Sequence, residues 1–122
     1  MDILKVDVRD SKKINELDRY IEKLAQDVLR ELEKKGFNID FHFLWKFEQW
    51  ETDRVDWKDV PVNAEVKIYL SFSTIDSKRY RIQLARLIRN FRKYEVEVEL
   101  YNVKEALSKL EELPRLSYIT NL

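Results

Sequence analysis

One glycine, Gly36, is all that this 122-residue chain contains, and the scarcity restricts both its turns and its chemistry. Glycine supplies left-handed backbone conformations without strain, and phosphate-binding loops need several such residues. Neither a P-loop nor a dinucleotide-binding fingerprint therefore fits the sequence. Cysteine is absent, which excludes disulfides, thiol catalysis and thiolate zinc sites. We expect no bound cofactor.

Composition indicates one folded domain spanning residues 1–122, because 44% of the residues are hydrophobic and can fill a core. The 23 basic and 23 acidic residues cancel, so no global field attracts nucleic acid or an anionic membrane. Neither a signal peptide nor an apolar run long enough to span a bilayer is present in the sequence, which favours a cytoplasmic protein without a membrane partner. Few glycines beside many charges favour a thermophilic host or its virus.

An amphipathic helix is the clearest element of the sequence. A short alternating strand over Leu4–Val8 precedes it, and Asp10 or Ser11 provides an N-cap oxygen. Gly36 follows the helix where a left-handed C-cap is favoured. The apolar spacing alternates between three and four residues, which buries one side of a helix: Ile14, Leu17, Ile21, Leu24, Val28 and Leu32.

Alternating patterns predict three further strands. Apolar residues recur at every second position over 37–47, 66–72 and 96–100. A polar connection over 49–63 separates the first two of these strands. Each strand is apolar on one side only, which is typical of a sheet with one covered face.

A second long helix is predicted from Ser73 to Tyr94, and a short one from Asn102 or Val103 to Glu112. The resulting order of elements matches a ferredoxin-like βαββαβ sandwich. This α+β fold has an antiparallel four-stranded sheet with two helices on one face, here followed by a C-terminal helix and tail over about 103–122.

Catalytic chemistry has few candidate residues. His42 is the only histidine, and the alternation places it on the outer side of its strand. The loop acids Asp53, Asp56 and Asp59 lack the glycine and bidentate glutamate of a calcium loop. A row of three glutamates on one strand is typical of a solvated sheet face, and we predict that the chain is not an enzyme. This row comprises Glu95, Glu97 and Glu99.

The predicted second helix carries seven basic residues and one acidic residue. Such a stripe could follow a phosphate backbone, which makes a small nucleic-acid-binding or regulatory protein the alternative function. The opposing interpretation is a solvated helix face matched by acids of the same chain. The candidate nucleic-acid contacts are Lys78, Arg79, Arg86, Arg89, Arg92 and Lys93.

The leading prediction is a non-catalytic protein-interaction module. Trp50 and Trp57 lie in the polar connection, where exposed tryptophans favour an interface, although the two rings could instead pack against each other. Tyr69 and Leu44 point to the open face of the predicted sheet. We therefore expect a homodimer or another protein partner, bound through that face and the long hairpin.

Overall fold

The computed structural model describes residues 1–37, 40–47, 50–74, 76–89 and 94–114. The strands are β1 (Asp2–Asp7), β2 (Asp40–Lys46), β3 (Glu51–Thr52), β4 (Glu65–Ser73), β5 (Arg79–Arg89), β6 (Glu95–Leu100) and β7 (Glu111–Glu112). The helices are α1 (Ser11–Lys34) and α2 (Val103–Ser108). Within the described residues, these seven strands form one antiparallel sheet in the order β1-β6-β5-β4-β2-β3, and β7 pairs with β5.

Helix α1 forms where its apolar stripe predicts it. The Asp10 side chain accepts a hydrogen bond from the Lys13 amide at 3.2 Å and caps the N-terminus. Gly36 has a φ of 88°, and the Phe37 amide donates to the Leu32 carbonyl at 3.1 Å. This pairing is the Schellman arrangement that ends many helices. The stripe is buried against one face of the sheet, which we call the inner face.

The ferredoxin-like prediction is wrong, because the segment predicted as the second long helix contains strand β5 instead. A β-bulge explains the misleading pattern. Ile68 of β4 pairs with Ala85 while the next residue, Tyr69, pairs with Gln83, so Leu84 is an extra residue in β5. The bulge shifts the alternation by one position. The buried residues of β5 therefore do not alternate strictly, as those of a regular strand would: Ile82, Leu84, Ala85 and Leu87.

The connection from β3 to β4 packs against the inner face and is not an extended hairpin. Trp57 is buried there, with its ring at 78° to that of Trp45 and the centroids 5.2 Å apart. Trp57 Nε1 donates to Asp18 Oδ1 of α1 at 2.8 Å. Arg89 Nη1 donates to the carbonyls of Lys58 and Val60 at 2.8 and 3.1 Å. These contacts make the connection part of the core.

Candidate protein-interaction surface

The second face of the sheet, which we call the outer face, is the largest candidate surface. Helix α1 packs on the inner face, α2 contacts α1 and β5, and no described helix lies over the outer face. The pairing of the strands determines which side chains belong to it. Its members include Ile3, Lys5, Asp7, His42, Leu44, Lys46, Glu65, Lys67, Tyr69, Ser71, Arg79, Arg81, Gln83, Arg86, Ile88, Glu95, Glu97, Glu99 and Glu111.

Tyr69 forms an ordered centre for this face. Its cross-strand neighbour is Leu44, and only 5% of its surface is exposed. The Arg81 guanidinium lies 4.5 Å from the Tyr69 ring centroid and also donates to both carboxylate oxygens of Glu111, at 2.8 and 3.2 Å. Burial raises the pKa of the Tyr69 hydroxyl, and the bond from Arg81 lowers the pKa of Glu111. These contacts link β2, β4, β5 and β7 at the centre of the face.

Positive charge predominates on one half of the outer face. We define this basic half by the outer side chains of β2, β4 and β5, where Lys46 and Lys67 are directly opposite each other. Like charges at that spacing repel. Among the described residues, no carboxylate lies within 4.0 Å of either ammonium. The cations of the basic half are Lys46, Lys67, Arg79, Arg81 and Arg86.

Negative charge predominates on the other half. We define this acidic half by the outer side chains of β1, β6 and β7, where Asp7 is opposite Glu95. Arg86 bonds at 2.8 Å to Glu65, an acid within the basic half, and joins the two halves through its bond to Glu99 at 3.2 Å. Lys5 is the cation of the acidic half. Its acids are Asp7, Glu95, Glu97, Glu99 and Glu111.

The Asp7 carboxylate at the edge of the acidic half titrates far from its usual range. Arg9 donates to it at 3.1 Å through Nε and at 2.8 Å through Nη2, which lowers the pKa of Asp7 to about 2. The Arg9–Asp7 pair therefore stabilises the fold at pH values above the ordinary aspartate pKa. This contribution disappears as the pH falls toward 2 and Asp7 becomes protonated. We expect Arg9→Ala to raise the pKa of Asp7 toward 3.8 in a carbon-13 NMR titration. An unchanged midpoint would contradict this pairing.

The cations predicted to bind nucleic acid do not share a helix face, since the helix that carried them is a strand. Lys78 precedes β5 and lies 3.9 Å from Asp76. Arg79 and Arg86 are on the outer face, whereas Arg89 points to the carbonyls of the inner connection. Arg92 and Lys93 lie outside the described residues.

The two tryptophans predicted at an interface have different environments. Trp57 is 4% exposed and belongs to the core, so it does not form part of an accessible surface. Trp50 is 53% exposed and stacks on Phe47 with ring centroids 3.9 Å apart. The rings of Trp50 and Trp57 therefore pack on other aromatic residues. Neither tryptophan belongs to the outer face.

His42 and the acidic residues of the described chain do not form a metal-binding site. His42 is an exposed member of the outer face. Within the described parts of the chain, no group of three or more histidines or acids is arranged to hold a metal ion. The same residues include no helix that is long and apolar enough to cross a bilayer.

Comparison with protein-family models, curated proteins and solved structures found no match for this chain. Sequence reasoning placed Tyr69, Leu44 and the glutamate row on the outer face. It missed the basic half and the Arg81–Glu111 pair, because both require β5 to be a strand.

Proposed function

We propose that the chain is a non-catalytic, cytoplasmic protein-interaction module that forms a homodimer by packing two outer faces together. The division of the outer face into a basic half and an acidic half supports this proposal. A surface of this kind is complementary to a second copy of itself, as a twofold symmetric interface requires.

The direction of the twofold axis follows from the order of the strands. The basic half lies toward β2 and the acidic half toward β1, with β5 and β6 at the boundary. A rotation about an axis parallel to the strands exchanges these two sides. Each basic half then faces the acidic half of the other copy. An axis perpendicular to the strands would instead bring like charges together, which is unfavourable.

The size of the face indicates a weak dimer. Five neighbouring strands of six to eleven residues, spaced by about 4.8 Å, cover about 600 Å² per copy. Two such surfaces bury about 1,200 Å², near the lower limit of specific interfaces. We therefore expect a dissociation constant of about micromolar size that increases with salt, because exposed charges are screened within about 8 Å at physiological ionic strength.

Complementary charge reversals test this arrangement. The first variant combines Lys46→Glu with Lys67→Glu, and the second combines Glu95→Lys with Glu97→Lys. None of the four residues forms an ion pair with another described residue. We expect each variant alone to dimerise at least about tenfold more weakly, because like charges then face each other. An equimolar mixture should form a heterodimer, which analytical ultracentrifugation measures.

The matched control reverses Lys12 and Lys23 on the exposed side of α1. It changes the net charge by the same amount as the first variant. Its dimer should nevertheless have the same dissociation constant as that of the unmodified chain. The proposal fails if the unmodified chain is monomeric at high concentration. It also fails if the two reversed variants do not associate when mixed.

A further inference from the structure

Among the described residues, two edges of the sheet have unpaired strand backbone, and their chemistry differs. Strand β1 is the last strand on one side, and its residues include the charged Asp2, Lys5 and Asp7. Charges of this kind are a common protection against unwanted strand pairing. On the other side, β3 covers only Trp45 and Lys46 of β2. Among the described residues, no second strand pairs with 41–44, which read Phe-His-Phe-Leu.

A groove lies beside this unprotected edge, on the inner side of the sheet. It has a volume of about 130 Å³ and lies between α1 and β2. Because an apolar cavity of about 150 Å³ can hold benzene, the groove has room for one aliphatic or small aromatic side chain. Phe41 continues the apolar surface along β2 and is 46% exposed. The apolar lining consists of Ile21, Phe43, Trp45 and Ile68.

The charged residues of the groove are mostly acidic. Asp18 and Glu22 belong to α1, and Asp53 and Arg54 follow β3. Three carboxylates beside one guanidinium attract a cationic ligand. The apolar lining selects an aliphatic side chain, and the free backbone groups of β2 select an extended chain.

We propose that the free edge of β2 binds an extended, lysine- or arginine-containing segment of a partner protein. The segment adds a strand beside Phe41–Leu44. One of its apolar side chains enters the groove, and its cations lie near Asp18, Glu22 and Asp53. Because alternate side chains point to the same side of a strand, the apolar side chain and the cations of such a segment lie two residues apart. The groove lies on the inner side of the sheet, opposite the outer face.

Charge argues against a second copy as the occupant of this edge. Two β2 strands paired with each other would bring together two grooves that each carry Asp18, Glu22 and Asp53. Like charges across an interface are costly. A basic segment avoids that repulsion.

A synthetic probe tests the proposal on the full chain labelled with nitrogen-15. The probe is the capped peptide acetyl-Thr-Lys-Thr-Val-Thr-Lys-Thr-amide, in which both lysines lie on the same side of the strand as the valine. We expect NMR shift changes at the amides of 41–44 and slower hydrogen exchange at those that face the free edge. A peptide with glutamate in place of lysine should bind at least about tenfold more weakly, because the groove is acidic. N-methylation of the probe backbone should abolish the shift changes, because it removes the strand hydrogen bonds.

Variants of the chain complete the test. Glu22→Lys combined with Asp53→Lys should weaken binding of the lysine probe about tenfold. Glu16→Lys combined with Glu33→Lys, on exposed positions of α1 outside the groove, should leave the affinity unchanged. Equal binding of the N-methylated probe, or equal affinity of both double variants, would overturn the proposal.

Two further outcomes would assign the edge to another occupant and overturn the proposal. Protection of the 41–44 amides that increases with protein concentration would indicate a second copy. Protection that is lost when the chain ends at Pro114 would indicate residues 115–122. The dimer variant with Lys46→Glu and Lys67→Glu should still bind the probe, so failure of the homodimer proposal and failure of this one can be distinguished.

Discussion

Trp57→Ala lowers the free energy of unfolding by about 4 kcal/mol, since a large buried aromatic side chain is removed from the core. Trp57 is 4% exposed, packs edge-on against Trp45 and donates to Asp18 of α1. It thereby connects β2, α1 and the segment leading into β4. Urea denaturation followed by far-ultraviolet circular dichroism measures the loss. Small domains are stable by only about 5–15 kcal/mol, so a large fraction of the stability depends on this residue.

Two related substitutions make the expectation specific. Trp57→Phe keeps most of the ring but removes the Nε1 donor from Asp18, and should cost about 1–2 kcal/mol. Trp50→Ala removes a ring that is 53% exposed and should cost about 1 kcal/mol or less. Similar losses for Trp50→Ala and Trp57→Ala would show that the buried position of Trp57 is wrong.

Arg89→Ala destabilises the fold by about 2 kcal/mol, because it leaves the carbonyls of Lys58 and Val60 without their donor. The expected loss of unfolding free energy is smaller than the summed contributions of two charged hydrogen bonds. Arg89 Nε is buried and has no hydrogen-bond partner among the described residues, so the guanidinium itself carries a desolvation cost. Chemical denaturation measures the change.

Arg79→Ala is the matched control for Arg89→Ala. Both residues are arginines of β5, but Arg79 is exposed on the outer face. Exposed substitutions without specific contacts usually change stability by less than about 0.5 kcal/mol. Equal losses at the two positions would contradict the described role of Arg89 in holding the connection.

Local patterns were sufficient to predict the elements whose periodicity is uninterrupted. Helix α1 has an unbroken apolar stripe and a glycine at its end, and the aliphatic residues and phenylalanine of β4 recur at every second position. Strand β5 was mistaken for a helix because Leu84 and Ala85 are consecutive buried residues, and leucine, alanine, arginine and glutamine favour helices. The pairing with β4 and β6 outweighs that local preference, and only the tertiary structure shows it.

The candidate surfaces were predictable to different degrees. Alternation alone placed Leu44 and Tyr69 on the outer side of their strands. The basic half could not be predicted because it depends on the side of β5 that each arginine occupies. The groove could not be predicted from the sequence either. Its lining comes from α1, β2, β4 and the residues after β3, which are far apart in the sequence.

The difference between the two sheet edges limits how far the protein can assemble. An endless fibre requires that each unit offer two mutually complementary edges, so that every addition creates a new place for the next. Three of the six residues of β1 are charged, whereas residues 41–44 of β2 include no Asp, Glu, Lys or Arg, and charges on an edge strand disfavour pairing. Among the described residues, the sheet therefore offers one edge suited to strand addition, and not the two that a fibre needs.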